Sequence, residues 1–242
     1  MSSAPLLLVH GSCHGAWCWR DVIAALAARG VTARAIDLPG HGADTTPLDA
    51  VTLEGYAQAI VAAARDMHDG PVPVVGHSMA GYAIAAAAVA APERVEKLIF
   101  LCAYVPQDGC SMVDLRKAGP RQPLLPAIRQ HADGISYSFA EEYHKPLFYQ
   151  DCSDADVSFA RANLTPQAIL PQATPLALTP AYHAVEKHYI RCTEDNVIPT
   201  EYQAHMARDF APGHLSTLPS SHSPFFSMPG RLAECLVAIL GR

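Results

Sequence analysis

Apolar residues along the chain fall into short unbroken runs separated by amphipathic stretches. Pro5–Val9 is a continuous apolar run ending in His10-Gly11 and predicts a buried strand. Trp17–Arg29 has the periodicity of a helix and meets a stop signal at Gly30. Val31–Ile36 predicts the next strand, closed by Asp37-Leu-Pro-Gly-His-Gly42. Then come an amphipathic helix over Thr52–Met67, a strand over Val72–Val75, an alanine-rich helix over Tyr82–Ala91 and a strand over Val95–Leu101. Near the end the pattern returns: strand Lys187–Cys192, helix Thr200–Phe210, strand Gly213–Leu218 and a final helix holding Leu232–Leu240. Such alternation predicts an α/β fold, a doubly wound and mainly parallel sheet of about six strands. Helices on both faces explain why the strands are apolar throughout rather than at every second position.

Between these blocks the regularity breaks. Residues 106–181 are rich in Pro, Gln and Asp, with isolated aromatics at Tyr137, Phe139, Tyr143, Phe148, Tyr149 and Phe159. Weak helical patterns at Ser136–Phe148 and Ser153–Asn163 predict a small, mostly helical cap over the carboxyl edge of the sheet. The segment is too long for a plain loop in a compact domain. The chain therefore divides into a core, 1–105 and 182–242, and a cap insertion, 106–181. The aromatics of the cap either line a pocket or form a small core of their own.

Composition narrows the function. The net charge is −6 and the 17 basic residues are scattered, which argues against nucleic-acid binding and against a polybasic membrane surface. No apolar run reaches transmembrane length. The start, Met-Ser-Ser-Ala-Pro, carries no basic residue and Leu6–Val9 is too short for a signal peptide, so a cytoplasmic protein is expected. Seven cysteines, an odd number without a Cys-X-X-Cys pair, predict reduced thiols. Neither a metal nor a cofactor is expected.

Val74-Val-Gly-His-Ser-Met-Ala-Gly81 carries the candidate chemistry. A strand running into Gly-X-Ser-X-small and then a helix is the pattern of a nucleophile elbow, with Ser78 as nucleophile. Alanine stands at position 80, where glycine is usual, and Gly81 follows one residue late. Serine needs a base to take its proton and an acid to orient that base. In doubly wound hydrolases these follow in the order Ser, acid, His, on loops after the last strands. The loop after Lys187–Cys192 reads Thr193-Glu194-Asp195-Asn196, and the loop after Gly213–Leu218 reads Pro219-Ser220-Ser221-His222-Ser223-Pro224. His222 is the candidate base. Asp195 is the better acid, because Glu194, one residue nearer the strand, would point the other way. Oxyanion donors are expected from the backbone N–H of Met79 and, in the first loop, of Ser12. His10 and Gly11 from that loop, with Tyr137 and Phe148 from the cap, are candidate pocket residues. Trp17 and Trp19 read as helix packing.

The run His10-Gly-Ser-Cys-His-Gly-Ala-Trp-Cys-Trp19 resembles the first loop of the plant methylesterase and hydroxynitrile lyase group of the α/β-hydrolase superfamily. It is also similar to bacterial relatives, including carboxylesterases that act on pyrethroid esters. The run at 37–42, the Gly-His-Ser elbow and Cys192-Thr-Glu-Asp195 match as well. The likeness covers residues 5–105 and 185–242, while the insertion matches only in length and position. It implies Ser78 as nucleophile, Asp195 as acid, His222 as base, Ser12 and Met79 as oxyanion donors, and often a homodimer. Hydroxynitrile lyases of this group place a threonine after the first-loop histidine and a lysine after the catalytic one. This chain has Gly11 and Ser223 there. The expected activity is therefore hydrolysis of a small to medium, largely apolar carboxylic ester through an acyl-enzyme. The alternatives are a lyase-type or other non-hydrolytic use of the same triad, and a ligand receptor with a vestigial triad.

Overall fold

A computed structural model describes residues 4–241; the Met-Ser-Ser start, on which the leader-free reading partly rests, lies outside the described residues. The first strand, β1 (Leu6–Val9), is buried at every position. A 3-10 turn at Ala16–Trp19 leads into α1 (Arg20–Ala27), so the first helix starts three residues later than its periodicity suggests. Strand β2 (Ala33–Ile36) and helix α2 (Leu53–Met67) follow, the latter capped by Thr52, whose hydroxyl accepts from Gly55 N at 2.9 Å. Strand β3 (Val72–His77), helix α3 (Ala80–Ala90) and strand β4 (Val95–Leu101) complete the first half.

The second half resumes with β8 (Glu186–Cys192), α8 (Thr200–Met206), β9 (Leu215–Leu218), α9 (Pro224–Ser227) and α10 (Pro229–Ile239). The six core strands form one sheet in the order β2-β1-β3-β4-β8-β9, parallel at every pairing. The sequence order reverses between β1 and its neighbours β2 and β3, the kind of place where open α/β sheets hold their ligands. Helix α3 is buried continuously from Ala80 to Ala88 and packs on α2. Its alanines let it lie close to both sheet and neighbour, where larger side chains would force it outward.

Between β4 and β8 the chain leaves the sheet. It forms α4 (Met112–Ala118), β5 (Ile128–Gln130), β6 (Ser136–Phe139), β7 (Gln167–Ala168), α5 (Asp154–Asn163), α6 (Leu170–Ala173) and α7 (Pro180–Ala184). Strands β5, β6 and β7 make a separate antiparallel sheet. The helix expected over Ser136–Phe148 is absent. In its place are β6, a 3-10 turn at Glu141–Tyr143 and a π-type turn at His144–Phe148. Ser136-Tyr-Ser-Phe139 alternates small polar and aromatic residues, a two-residue period that suits a strand, and Pro146 cannot donate to a helical ladder.

Candidate active site

The turn between β3 and α3 places Ser78 in the left-handed region, φ +56°. A serine held there costs on the order of 1–3 kcal/mol, which the surroundings must offset. Three backbone hydrogen bonds do so: Ser78 N donates to Leu101 O (3.1 Å), and Ser78 O accepts from Gly81 N and Tyr104 N (3.2 Å each). The late glycine now has its reason. A Cβ on Gly81 would lie 2.1 Å from Tyr104 O, so the position that must be bare faces the exit of β4. Ala80 is fully buried and accommodated.

On the loop after β8, Asp195 is buried and its carboxylate is saturated with donors. Oδ1 accepts from Val197 N (2.7 Å) and Ile198 N (3.0 Å). Oδ2 accepts from Gln203 Nε2 (2.8 Å) and from His222 Nδ1 (2.7 Å). Four hydrogen bonds fix the plane of the carboxylate. Glu194 is exposed, and only its backbone is used, bonding Ser220 O and Gln150 Nε2. The structure thus brings Asp195, and not Glu194, to His222.

His222 is 1% exposed. With Nδ1 given to Asp195, Nε2 is the ring nitrogen left for a substrate-side partner. The backbone of this residue is held too: His222 O accepts from His77 Nε2 (2.9 Å) and lies 3.6 Å from the Cys102 thiol. His77, the middle residue of Gly-His-Ser, therefore carries its proton on Nε2, and its Nδ1 has no partner. Burial, and then the neighbouring His222, push its pKa well below the usual histidine value, which keeps it neutral beside the base.

Ser78 and His222 both line a cavity of about 280 Å³. Ser12 and Met79, the expected oxyanion donors, line it as well, and so do Tyr137 and Phe148. No acidic side chain lies on its wall, while Arg116 and Lys117 do. Phe148 and Phe139 pack on each other with centroids 4.7 Å apart, and both also face the cavity, so the insertion's aromatics serve as wall and core together. A larger hollow of about 740 Å³ lies beside the amino end of β8, lined by Tyr182, Lys187 and His214, and contains none of the expected site residues.

Two expected pocket residues are placed otherwise. His10 is fully buried and absent from the wall: Nδ1–H donates to Gly11 O (2.8 Å) and Nε2 accepts from Leu38 N (3.0 Å). Its ring staples two loops, as a buried imidazole with both nitrogens satisfied does. Gly11 offers no wall either. A Cβ there would sit 2.7 Å from His77 Nδ1 and 3.0 Å from Ser78 Cβ, so the first loop is pressed against the elbow only because position 11 is bare. His14, four residues on, turns the other way from His10: Nδ1–H donates to Ser12 O (2.8 Å) and Nε2 accepts from the Tyr149 hydroxyl (2.7 Å). Burial lowers its pKa to about 4.

Several partners had no sequence signal. Gln203 looks like any helix glutamine, and Gln172 sits in an irregular Pro-rich stretch, so only the fold reveals their contacts. His77 was within the motif and could have been singled out. Among the described residues two clusters have side chains spaced to share an ion. His77, Cys102 and His222 are committed as above; Glu186, His188 and His214 are grouped at the amino end of β8, where Glu186 already pairs with Lys97 (3.3 Å) and His188 (2.5 Å).

A model of the alpha/beta hydrolase family matches residues 6–235. Methylesterase 1 of Arabidopsis thaliana is 30% identical over 249 residues, spanning 96% of this chain and 94% of its own length. Methylesterase 2 of the same plant is 29% identical over 248 residues, with 96% and 94% covered. Among solved structures, a pyrethroid hydrolase from Sphingobium faniae JZ-2 superposes with a TM-score of 0.84 at 26% identity, over 98% of this chain and 97% of its own.

Proposed function

This chain belongs to the alpha/beta hydrolase family, and from that premise we propose that it hydrolyses carboxylic esters through Ser78, His222 and Asp195. The observation that carries the reading is the 2.7 Å contact from His222 Nδ1 to a saturated, buried Asp195 carboxylate, with the histidine on the same cavity wall as Ser78. Asp195 fixes the tautomer, so Nε2 holds a lone pair and takes the Ser78 proton as Oγ attacks the ester carbonyl. The C=O π electrons move to oxygen, and the N–H groups of Ser12 and Met79 receive that charge. The carbonyl re-forms, the alkoxide leaves with the proton from Nε2, and an acyl-Ser78 remains. Water, deprotonated by Nε2, repeats the sequence and releases the acid.

Relatives of this chain are methylesterases and a solved neighbour is a pyrethroid hydrolase, which makes a methyl ester the first substrate to try. The apolar walls supplied by residues 106–181, which act as the cap, and the modest cavity volume favour a small to medium, largely apolar ester. Against the lyase alternative stand Ser223, buried directly after the base where that branch carries lysine, and Gly11, which has no room for a side chain. Seven free thiols support a cytoplasmic setting. A homodimer follows from the resemblance and is read by gel filtration.

The test is a panel of p-nitrophenyl esters of rising chain length, with methyl esters of aromatic acids and a mandelonitrile cleavage assay alongside. Ester turnover that vanishes in Ser78→Ala, with the fold intact, supports the reading; turnover that survives removes it. A fluorophosphonate probe separates enzyme from receptor, because only an activated Ser78 is labelled rapidly.

A further inference from the structure

The Ser12 side chain carries more than its backbone N–H suggests. Its oxygen belongs to a buried group of three hydrogen-bonded side chains. The Tyr137 hydroxyl lies 3.1 Å from Gln172 Oε1, and Gln172 Nε2 lies 2.8 Å from Ser12 Oγ. Gln172 is 4% exposed and Tyr137 9%. We propose that the Ser12 hydroxyl is a third donor to the oxyanion at Ser78, aimed by Gln172 and Tyr137; this deepens the ester-hydrolase reading and rests on it.

The direction of each bond follows from what each group can do. A carboxamide oxygen only accepts, so Tyr137 donates to Gln172. That fixes the amide plane and turns its NH2 toward Ser12. An amide nitrogen only donates, so Ser12 Oγ accepts and keeps a proton to give, for which the hydrogen-bonded Tyr137 oxygen is the acceptor at rest. The carbonyl of Ser12 is already taken by His14 Nδ1. An oxyanion forming in the cavity, whose wall Ser12 shares with Ser78, Met79 and His222, is a stronger acceptor than a phenol oxygen and draws the Ser12 proton to itself. The first loop runs so close to the elbow that a Cβ on Gly11, next to Ser12, would lie 3.0 Å from Ser78 Cβ. In a serine the N–H and O–H hang from neighbouring atoms of one residue, and both can meet a single oxygen. Gln172 and Tyr137 belong to the insertion, so a donor on the core loop is aimed by the segment that also forms the cavity wall. They are positioning residues, while the Ser12 hydroxyl is the group that touches the reacting oxygen.

The opposite amide orientation makes the opposite prediction. If Gln172 Oε1 faced Ser12, the serine proton would be consumed and no donor would remain. A mutant cycle on p-nitrophenyl acetate distinguishes the two. Ser12→Ala keeps the backbone N–H and should lower kcat about 10- to 100-fold with KM little changed, the signature of a transition-state donor. Ser12→Thr, which restores a hydroxyl, should recover most of the loss. Gln172→Leu should lower kcat by a smaller factor, and in the Ser12→Ala background it should have no further effect. Wild-type kcat in Ser12→Ala overturns the proposal. So does an equal effect of Gln172→Leu in both backgrounds, which would make Gln172 a purely structural residue. Ser78→Ala is run beside them: turnover there would strike the ester-hydrolase reading itself, whereas a dead Ser78→Ala with an unimpaired Ser12→Ala removes only the third donor.

Discussion

In the loops that leave the carboxyl ends of β1, β3 and β4, the backbone is held in places other residues avoid. All three positive-φ residues other than glycine among the described ones, Cys13, Ser78 and Cys102, sit there. On the loops after β8 and β9, Asp195 is buried and accepts four times and His222 is held at ring and carbonyl. The insertion over the same cavity is built differently. Its described non-glycine residues all have negative φ, and much of its polar pairing is exposed: Arg129–Glu142, Lys145–Asp154 and Arg161–Glu141 are solvent-facing ion pairs, which water screens. Its shape comes from an aromatic cluster and a three-stranded sheet. The contrast separates two tasks. Strain and saturation fix reacting atoms, whereas a wall of apolar side chains on loosely paired surface segments can change its occupant without disturbing them.

Substitutions in the two regions should therefore fail in different ways. Ser78→Ala should lower kcat by about 10⁶-fold while the melting temperature holds, as judged by burst kinetics and a thermal melt. Asp195→Asn should cost about 10⁴-fold, because an amide that donates to Nδ1 selects the wrong histidine tautomer. A loss of only a few-fold would mean that the orienting acid is not Asp195. The seam between the regions should show in acid. His14 belongs to the first core loop and bonds Tyr149 of the insertion. Its folded pKa of about 4 lies below the free value of 6.5, so the unfolded chain takes the proton first. Stability is then complete above pH 6.5 and falls by up to about 3 kcal/mol as pH drops through 4. Urea midpoints at pH 7 and pH 5 should differ more for the wild type than for His14→Asn, and equal differences would deny the seam this role. The smallest effect belongs to the wall. Leu124→Ala, at a half-buried position lining the cavity, should shift the kcat/KM ratio of butyrate to acetate ester by about 10-fold and leave acetate kcat near wild type.

The core was legible because a strand covered on both faces must be apolar at every position, and Leu6–Val9 and Leu98–Leu101 declare that directly. That the loops carrying Ser78, Asp195 and His222 come together was legible because parallel topology dictates which loops meet. The insertion was less so. Ser136–Phe139 is too short for its alternation to outweigh the helix-like spacing of the aromatics beyond it, and pairing with Ile128–Gln130 decides the matter. His10 was misplaced for another reason: adjacency in a loop says nothing about which side of the backbone a ring takes, and Leu38 N, 28 residues away, claims this one. Gln203 and Gln172 were invisible because an amide's role is set wholly by what stands opposite it.

The anchoring of His222 has a consequence for motion. An imidazole held at Nδ1 by a saturated carboxylate, on a backbone whose carbonyl is held by His77, has little freedom to swing. Such a centre is ready before the substrate arrives. Any slow step that admits or releases a ligand is then expected in residues 106–181 and not in the loops of the sheet. Microsecond-to-millisecond exchange in relaxation measurements should concentrate in residues 106–181, and the imidazole of His222 should be among the stillest groups in the molecule.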